Sequence, residues 1–307
     1  MLTYPMDVLN QHPIRKNKKQ KQAFLSDVIP FAENLGYSVK VEKGKMGCKN
    51  VVIGNSDSAK YLVTAHYDTP ACMLFPNFIT PCNPFVYLCY QFFVVAIFLL
   101  IAFISGFAVH AFSQNAELSL LAGYVVYFGI MLLMMFGPAN RHNANDNTSG
   151  VVTLLEIAAA LPESQRENVC FVLFDLEEAG LLGSASYRKV HKKVTDRQIV
   201  LNLDCVGDGN EIMMFPTKKL NKDTQLMSTL DRATGEFGCK RINLHHQGFA
   251  MCPSDQKNFP LGVGIMAFQQ KKFLGLFCDK IHTNRDIILE EENVNIIRSA
   301  LISLICQ

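Results

Sequence analysis

Two adjacent carboxylates, Glu177 and Glu178, sit in the stretch FDLEEAGLLGS at residues 174–184. They follow the apolar run 168–174, which reads as a buried strand. Gly180 and Gly183 then permit a tight path into a helix. Open α/β sheets place their sites at the carboxyl ends of such strands. Two acids side by side there can divide a reaction, one ligating a metal while its neighbour handles a proton. Alone, an acidic pair is a solvated turn, so the reading depends on the other ligand types around it.

Four more stretches supply them. TAHYDTP closes the β pattern at 61–65 and sets His66 two residues before Asp68. A metal-binding imidazole needs a partner to hold its ring, and Asp68 could be that partner; the competing reading is a structural histidine at a strand end. In RHNANDNTSG, residues 141–150, Asp146 stands between two asparagines before a helix expected over 149–160. It reads either as a helix N-cap or as a carboxylate shared between two metal ions. Asp204 ends the apolar strand 199–203, where an ionised group needs a partner or a cation. IHTNRD offers His282, with Asp286 nearby. Asp208 reads as a turn residue, and His245 and His246 as structural or surface groups.

The elements that must position these groups alternate between the two periods. A helix runs to about residue 35 and is closed by Gly36. Its basic lead-in, RKNKKQK at 15–21, reads as a solvated helix start, with contact to a membrane surface as the alternative. Strand patterns follow at 37–41, 50–53, 61–65, 168–174, 199–203, 211–215 and 261–268, with helices expected after the acidic pair to about 193, at 223–237 and at 290–306. PSDQKNF, residues 253–259, reads as a loop entering a short helix capped by Ser254 or Asp255. Apart from Asp146 and His282, each candidate follows a strand, which would gather the set on one rim of a sheet.

Between residues 69 and 140 the only formally charged residue is Glu117. The runs 85–109 and 118–136 are predominantly apolar and hold no charged residue. At about 1.5 Å per residue each can cross a hydrocarbon core of roughly 30 Å. With a short polar turn at 110–117, they read as a transmembrane helical hairpin inserted at 84–138 in a catalytic domain made of 1–83 and 139–307. The alternative is a pair of very apolar soluble helices, at a dimer interface or in a lid. Two spans leave both flanks on one side, and the first residues lack a basic-then-apolar signal pattern, so the catalytic part is expected in the cytoplasm of a multi-pass membrane protein. Ten cysteines without a CxxC pair fit reduced thiols there. A net charge of +2 on 307 residues leaves no footprint for nucleic acid.

Taken in order, AHYDTP, NANDNTSG, FDLEEAGLLGS, NLDCVG and IHTNRD form a set that resembles the co-catalytic zinc aminopeptidases of peptidase family M28. The resemblance implies a mixed, mostly parallel central sheet flanked by helices, of the zinc aminopeptidase/phosphorylase-like kind, holding two zinc ions. Carried over residue by residue, Asp146 would bridge the ions, His66 and Asp204 would complete one shell, and Glu178 and His282 the other. Glu177 would be the general base, and Asp68 would orient His66. PSDQKNF is similar to a family loop beside the substrate pocket, but Gln256 stands where a histidine is common, a departure that touches the substrate subsites and not the metal site. The resemblance implies an aminopeptidase acting on peptides; a carboxypeptidase or glutaminyl cyclase on the same scaffold, and a non-catalytic membrane receptor or scaffold, are the competing functions. The hairpin lies between two expected ligands, His66 and Asp146, so it should emerge near the catalytic rim and favour apolar or membrane-derived peptides.

Overall fold

The structure, a computed structural model, describes residues 2–246 and 250–307. It opens with α1 (Asp7–Gln11), α2 (Lys18–Asn34), β1 (Val39–Lys43), β2 (Lys49–Ile53) and β3 (Tyr61–His66). Two long helices follow, α3 (Pro84–Ser113) and α4 (Ala116–Phe136). Next come α5 (Gly150–Ala160), β4 (Val169–Phe174), α6 (Leu182–Val190), α7 (Lys192–Thr195) and β5 (Ile199–Leu203). The last part holds β6 (Glu211–Pro216), α8 (Thr224–Asp231), β7 (Gly235–Phe237), β8 (Lys240–Leu244), β9 (Gly262–Lys271), β10 (Gly275–Phe277) and α9 (Glu291–Ile305).

β3, β4 and β5 are buried along their whole length, as continuous apolar strands are when helices cover both faces of a sheet. They form the parallel centre of a ten-stranded sheet ordered β1-β2-β4-β3-β5-β9-β6-β8-β7, with β10 on β9. Antiparallel pairings, β1 with β2, β2 with β4 and β6 with β9, build the flanks. Side chains alternate across the sheet with period two. Val63, Ala65, Phe171 and Leu173 join a core with Phe24, Leu154 and Leu301 of α2, α5 and α9. Leu62, Cys170, Val172 and Phe174 point the other way, onto Tyr187 and Phe259. The α/β architecture, a mixed sheet between helices, is therefore the one expected. All ten cysteines are free.

Two local expectations change. The helix expected over 223–237 stops at Asp231, and 235–237 pair with β8 instead. Gly235 and Gly238 make a helix costly there, and Gly238, at φ 63°, turns a hairpin. The basic lead-in is not simply solvated either. Arg15 is fully buried and donates to the carbonyl of Tyr67 at 2.6 Å and to Thr148 Oγ1 at 3.1 Å. Lys21 pairs with the buried carboxylate of Asp175. Only 17–19 lie exposed at the start of α2. The run mixes two environments because α2 packs across the ends of β3 and β4, a contact no local pattern encodes.

The apolar runs are two helices long and apolar enough to cross a membrane. Asn83 accepts from Val86 N at 3.2 Å and Asn115 from Leu118 N at 3.1 Å, so each helix starts on an asparagine cap. Ser119 Oγ donates to the Gly106 carbonyl at 2.6 Å and fastens the pair near its tip. α4 buries none of its residues, and α3 only Val94, Phe98, Ala102 and Gly106. An exposed apolar surface of that extent marks a face that contacts a membrane or another protein surface.

Replacing Arg15 with methionine removes the donor for a buried carbonyl and a buried hydroxyl, and should cost about 2–4 kcal/mol. Thermal unfolding of the detergent-solubilised protein should show a clear drop in Tm for Arg15→Met, whereas Lys18→Met should leave Tm unchanged.

Candidate metal centre

The parallel register of β3 and β4 pairs His66 with Phe174, so the turn after β4 falls beside the end of β3. Asp68 joins the two. Its carboxylate accepts from Glu177 N at 3.0 Å and Glu178 N at 3.3 Å, while its carbonyl lies 3.1 Å from His66 Nδ1. The Asp68 carboxylate itself is 3.6 Å from that nitrogen, so the ring is held chiefly through the backbone and the side chain chiefly braces the acidic turn. The turn passes through left-handed backbone at Leu176 and Leu181 as well as Gly180. A Cβ on Gly183 would sit 2.1 Å from the Asp175 carbonyl, so only glycine lets α6 begin that close.

Asp146 lies on the segment entering α5, and its neighbours hold it. Asn147 donates to the Leu203 carbonyl at 3.0 Å and accepts from Cys205 N and Gly150 N, both at 3.1 Å. Asn145 accepts from Gly207 N at 2.7 Å. The helix-capping role thus falls to Asn147, and Asp146 is left to face the other candidates. Asp286 completes the brace by accepting from Asn145 N at 2.7 Å and Asp146 N at 3.0 Å.

The two oxygens of Asp146 each face one imidazole. Oδ1 is 3.4 Å from His66 Nε2, and Oδ2 is 3.0 Å from His282 Nε2. On the first side Asp204 lies 3.6 Å from His66 Nε2. On the second, Glu178 lies 3.5 Å from His282 Nε2. His66, Glu177 and Asp204 bring one donor atom each within 4.8 Å of one another, and so do His66, Asp146 and Glu178. All seven residues singled out in the sequence therefore meet in one cleft or directly behind it. Ile79, Cys252, Met266 and Ile281 line that cleft beside them.

The charge balance calls for a cation. Burial pushes Glu177 well above the usual carboxylate range, and the charge of Glu178 adds to it. Burial likewise raises Glu178, reinforced by Asp146. Burial also raises Asp146, but the imidazoles of His282 and His66 outweigh it and hold the group low. Burial lowers His66, but Glu177 and the carboxylates of Asp146, Asp204 and Asp68 overcome it and raise the imidazole well above its ordinary value. Asp146 Oδ1 and Glu178 Oε1 are buried without a hydrogen-bond donor among the described residues. Unsatisfied buried carboxylate oxygens beside imidazole nitrogens are a donor set suited to zinc.

Sequence comparison and fold agree with this chemistry. The profile of peptidase family M28 matches residues 132–303, more than half of the chain, and the chain belongs to that family. The match takes in Asp146, Glu177, Glu178, Asp204 and His282 and starts beyond His66 and Asp68. No curated protein matched. Among solved structures, a zinc-dependent exopeptidase from Parabacteroides distasonis superposes with a TM-score of 0.62 at 15% identity, over 98% of this chain and 95% of that one. Glutaminyl cyclase from Porphyromonas gingivalis gives 0.61 at 16% identity, over 98% and 95%. A leucine aminopeptidase precursor from Bacteroides thetaiotaomicron gives 0.59 at 15% identity, over 98% and 94%. At such identities the likeness establishes the fold, that of zinc-dependent exopeptidases.

Several residues of the site carry no signal strong enough to find in one sequence. Asp286 was visible only as an acid near His282. Arg15, Lys21 and Asp175 reach the site through packing alone. Asp255, buried and hydrogen-bonded by Ser184, is pushed up to about 7 mainly by burial. Gln256 turns away from the cleft: it donates to the Cys252 carbonyl at 2.8 Å and accepts from Asn202 at 3.1 Å, so it shapes the loop that carries Cys252 and Pro253.

Removing the Asp286 carboxylate frees two backbone donors that fix Asp146. Asp286→Ala should weaken zinc binding by about 10–100-fold, measured by chelator competition on the purified protein.

Proposed function

We propose that this chain is a membrane-anchored zinc exopeptidase that removes N-terminal residues from peptides. The observation that carries the reading is the division of Asp146 between two imidazoles, with Asp204 and Glu178 on opposite sides. In this reading His66 and Asp204 would hold one zinc ion and Glu178 and His282 another, with Asp146 available to both. Zinc bound there supplies Lewis acidity toward the reacting water and the scissile carbonyl. Glu177, which lines the cleft beside the ligand set, would accept the water's proton and return it to the leaving amine. Asp68 keeps Glu177 and Glu178 in place through their backbone amides. α3 and α4 anchor the protein in the bilayer, with the catalytic part on the cytoplasmic side.

A second reading, cyclisation of N-terminal glutamine, draws support from the likeness to glutaminyl cyclases. It separates cleanly by product. It also needs one zinc where the peptidase reading needs two.

Glu177→Gln should retain the wild-type zinc content and lose about 10²–10⁴-fold in peptide cleavage. If the variant cleaves as fast as wild type, Glu177 is not the base. A second experiment pairs one peptide with a free amino terminus and the same peptide acetylated. Wild-type protein should release the first residue only from the free peptide, and equal cleavage of both would remove the aminopeptidase assignment.

A further inference from the structure

The inserted hairpin is not merely attached near the cleft; its lead-in forms part of the cleft wall. Residues 72–79 run beside 278–282. Met73 N donates to the His282 carbonyl at 2.8 Å and Asn77 N to the Ile281 carbonyl at 3.3 Å. Ile79 and Cys278 exchange two backbone hydrogen bonds, each 2.9 Å long. At the far end Cys72 N donates to the Pro138 carbonyl at 2.8 Å, which ties the same strap to the exit of α4. One strap therefore touches both the His282 loop and the hairpin base.

Beneath it lies a cavity of about 310 Å³, walled by Leu74 and Phe75 of the strap, Val94 and Phe98 of α3 and Met134 of α4. Its size is at the lower end of the roughly 300–1,000 Å³ typical of ligand pockets. Asn77 lines both this cavity and the metal cleft, so the two spaces share a wall. No charged residue lines the cavity, and the hydroxyl of Tyr90 is already spent on the Pro76 carbonyl at 2.7 Å. The remaining polar side chains on its wall are the amides of Asn77 and Gln91, so a charged guest would lose its hydration there with no opposite charge to replace it. Leu74, at the rim, is 87% exposed, an apolar side chain with little protein against it.

We propose that this cavity is a substrate subsite that receives an apolar side chain of the peptide held in the cleft. The assignment rests on the peptidase reading above and adds the part of the substrate that the hairpin recognises. The shared Asn77 favours a peptide over a free acyl chain, because one molecule must reach the carboxylate-lined cleft and the uncharged cavity together. The hairpin thus acts as a specificity element as well as an anchor.

The test uses the full chain in lipid nanodiscs and a leucine-rich peptide with a free amino terminus and one diazirine-bearing leucine analogue. Crosslinks should map to 72–77 and to the bases of α3 and α4. Val94→Phe, which fills the cavity, should abolish them and lower kcat/KM for the leucine-rich peptide about tenfold, as loss of apolar pocket contacts does, while trialanine is cleaved as before. Leu74→Ser, at an exposed position that does not endanger folding, should lower both readouts in the same direction. Crosslinks elsewhere, crosslinks indifferent to both variants, or a diazirine fatty acid that labels the cavity where the peptide does not would overturn the subsite. Cleavage without apolar preference and without cavity labelling also sinks the subsite and spares the peptidase. Cavity labelling by a protein that cleaves no peptide removes the peptidase and, with it, the substrate role of the cavity.

Discussion

Carboxylates crowd the carboxyl ends of β3, β4 and β5, and the surrounding structure is arranged to keep them there. Asp146, Glu177, Glu178 and Asp204 occupy the front, with Asp68, Asp255 and Asp286 behind. In a medium of low dielectric such charges repel strongly, and burial together with the neighbouring charge of Asp146 pushes Asp286 up to about 7. What holds them is a set of positive or partly positive groups aimed from several elements. Backbone amides of 145, 146, 177 and 178 point at Asp286 and Asp68. The guanidinium of Arg15, lowered to about 10 by its own burial, is favoured in turn by Asp68 and Asp146. Two imidazoles flank Asp146. The remaining deficit of positive charge is what a metal centre supplies.

Such precision has a cost in backbone conformation. Leu176, Cys205 and His282 all take left-handed φ, at 56°, 53° and 63°, and each stands at or next to a residue of the acidic cluster. Non-glycine residues there cost of order 1–3 kcal/mol each and persist only where their surroundings impose them. Here the surroundings are dense. Ile281 and Cys205 pack into an apolar cluster with Met266 and Phe268, and Asn145 and Asn147 stitch the α5 entry to the loop after β5. Stability drawn from the sheet and its helices is invested in holding donor atoms within a few ångströms of one another.

The hairpin enters this frame at a point that tolerates length. A parallel neighbour of β3 requires a crossover in any case, and the chain between β3 and β4 already leaves the sheet edge before returning through α5. Ala71 bridges Ala139, so the segment that carries the two helices begins and ends at a closed neck. The same neck keeps the helices beside the His282 loop.

Much of this was readable in one dimension. Apolar runs bounded by glycine and polar residues mark β3, β4 and β5 because strands buried on both faces have no polar period. The two long apolar helices were legible because each run is long, apolar and free of internal charge. The ordered acids and histidines were legible because each closes a strand or opens a helix, where side chains of an α/β sheet converge. Hidden from that reading were the burial of Arg15, the pairing of Lys21 with Asp175, the bracing of Asp146 by Asp286, and the short β7 in place of a longer helix. These depend on which distant segments pack together, and a basic run or an isolated aspartate looks the same in solvent and in a core. Sequence alone determined which residues could ligate and which segments could span a membrane; only the tertiary structure decided that the two share a wall, because proximity across 80 or more residues is set by sheet register and packing rather than by local pattern.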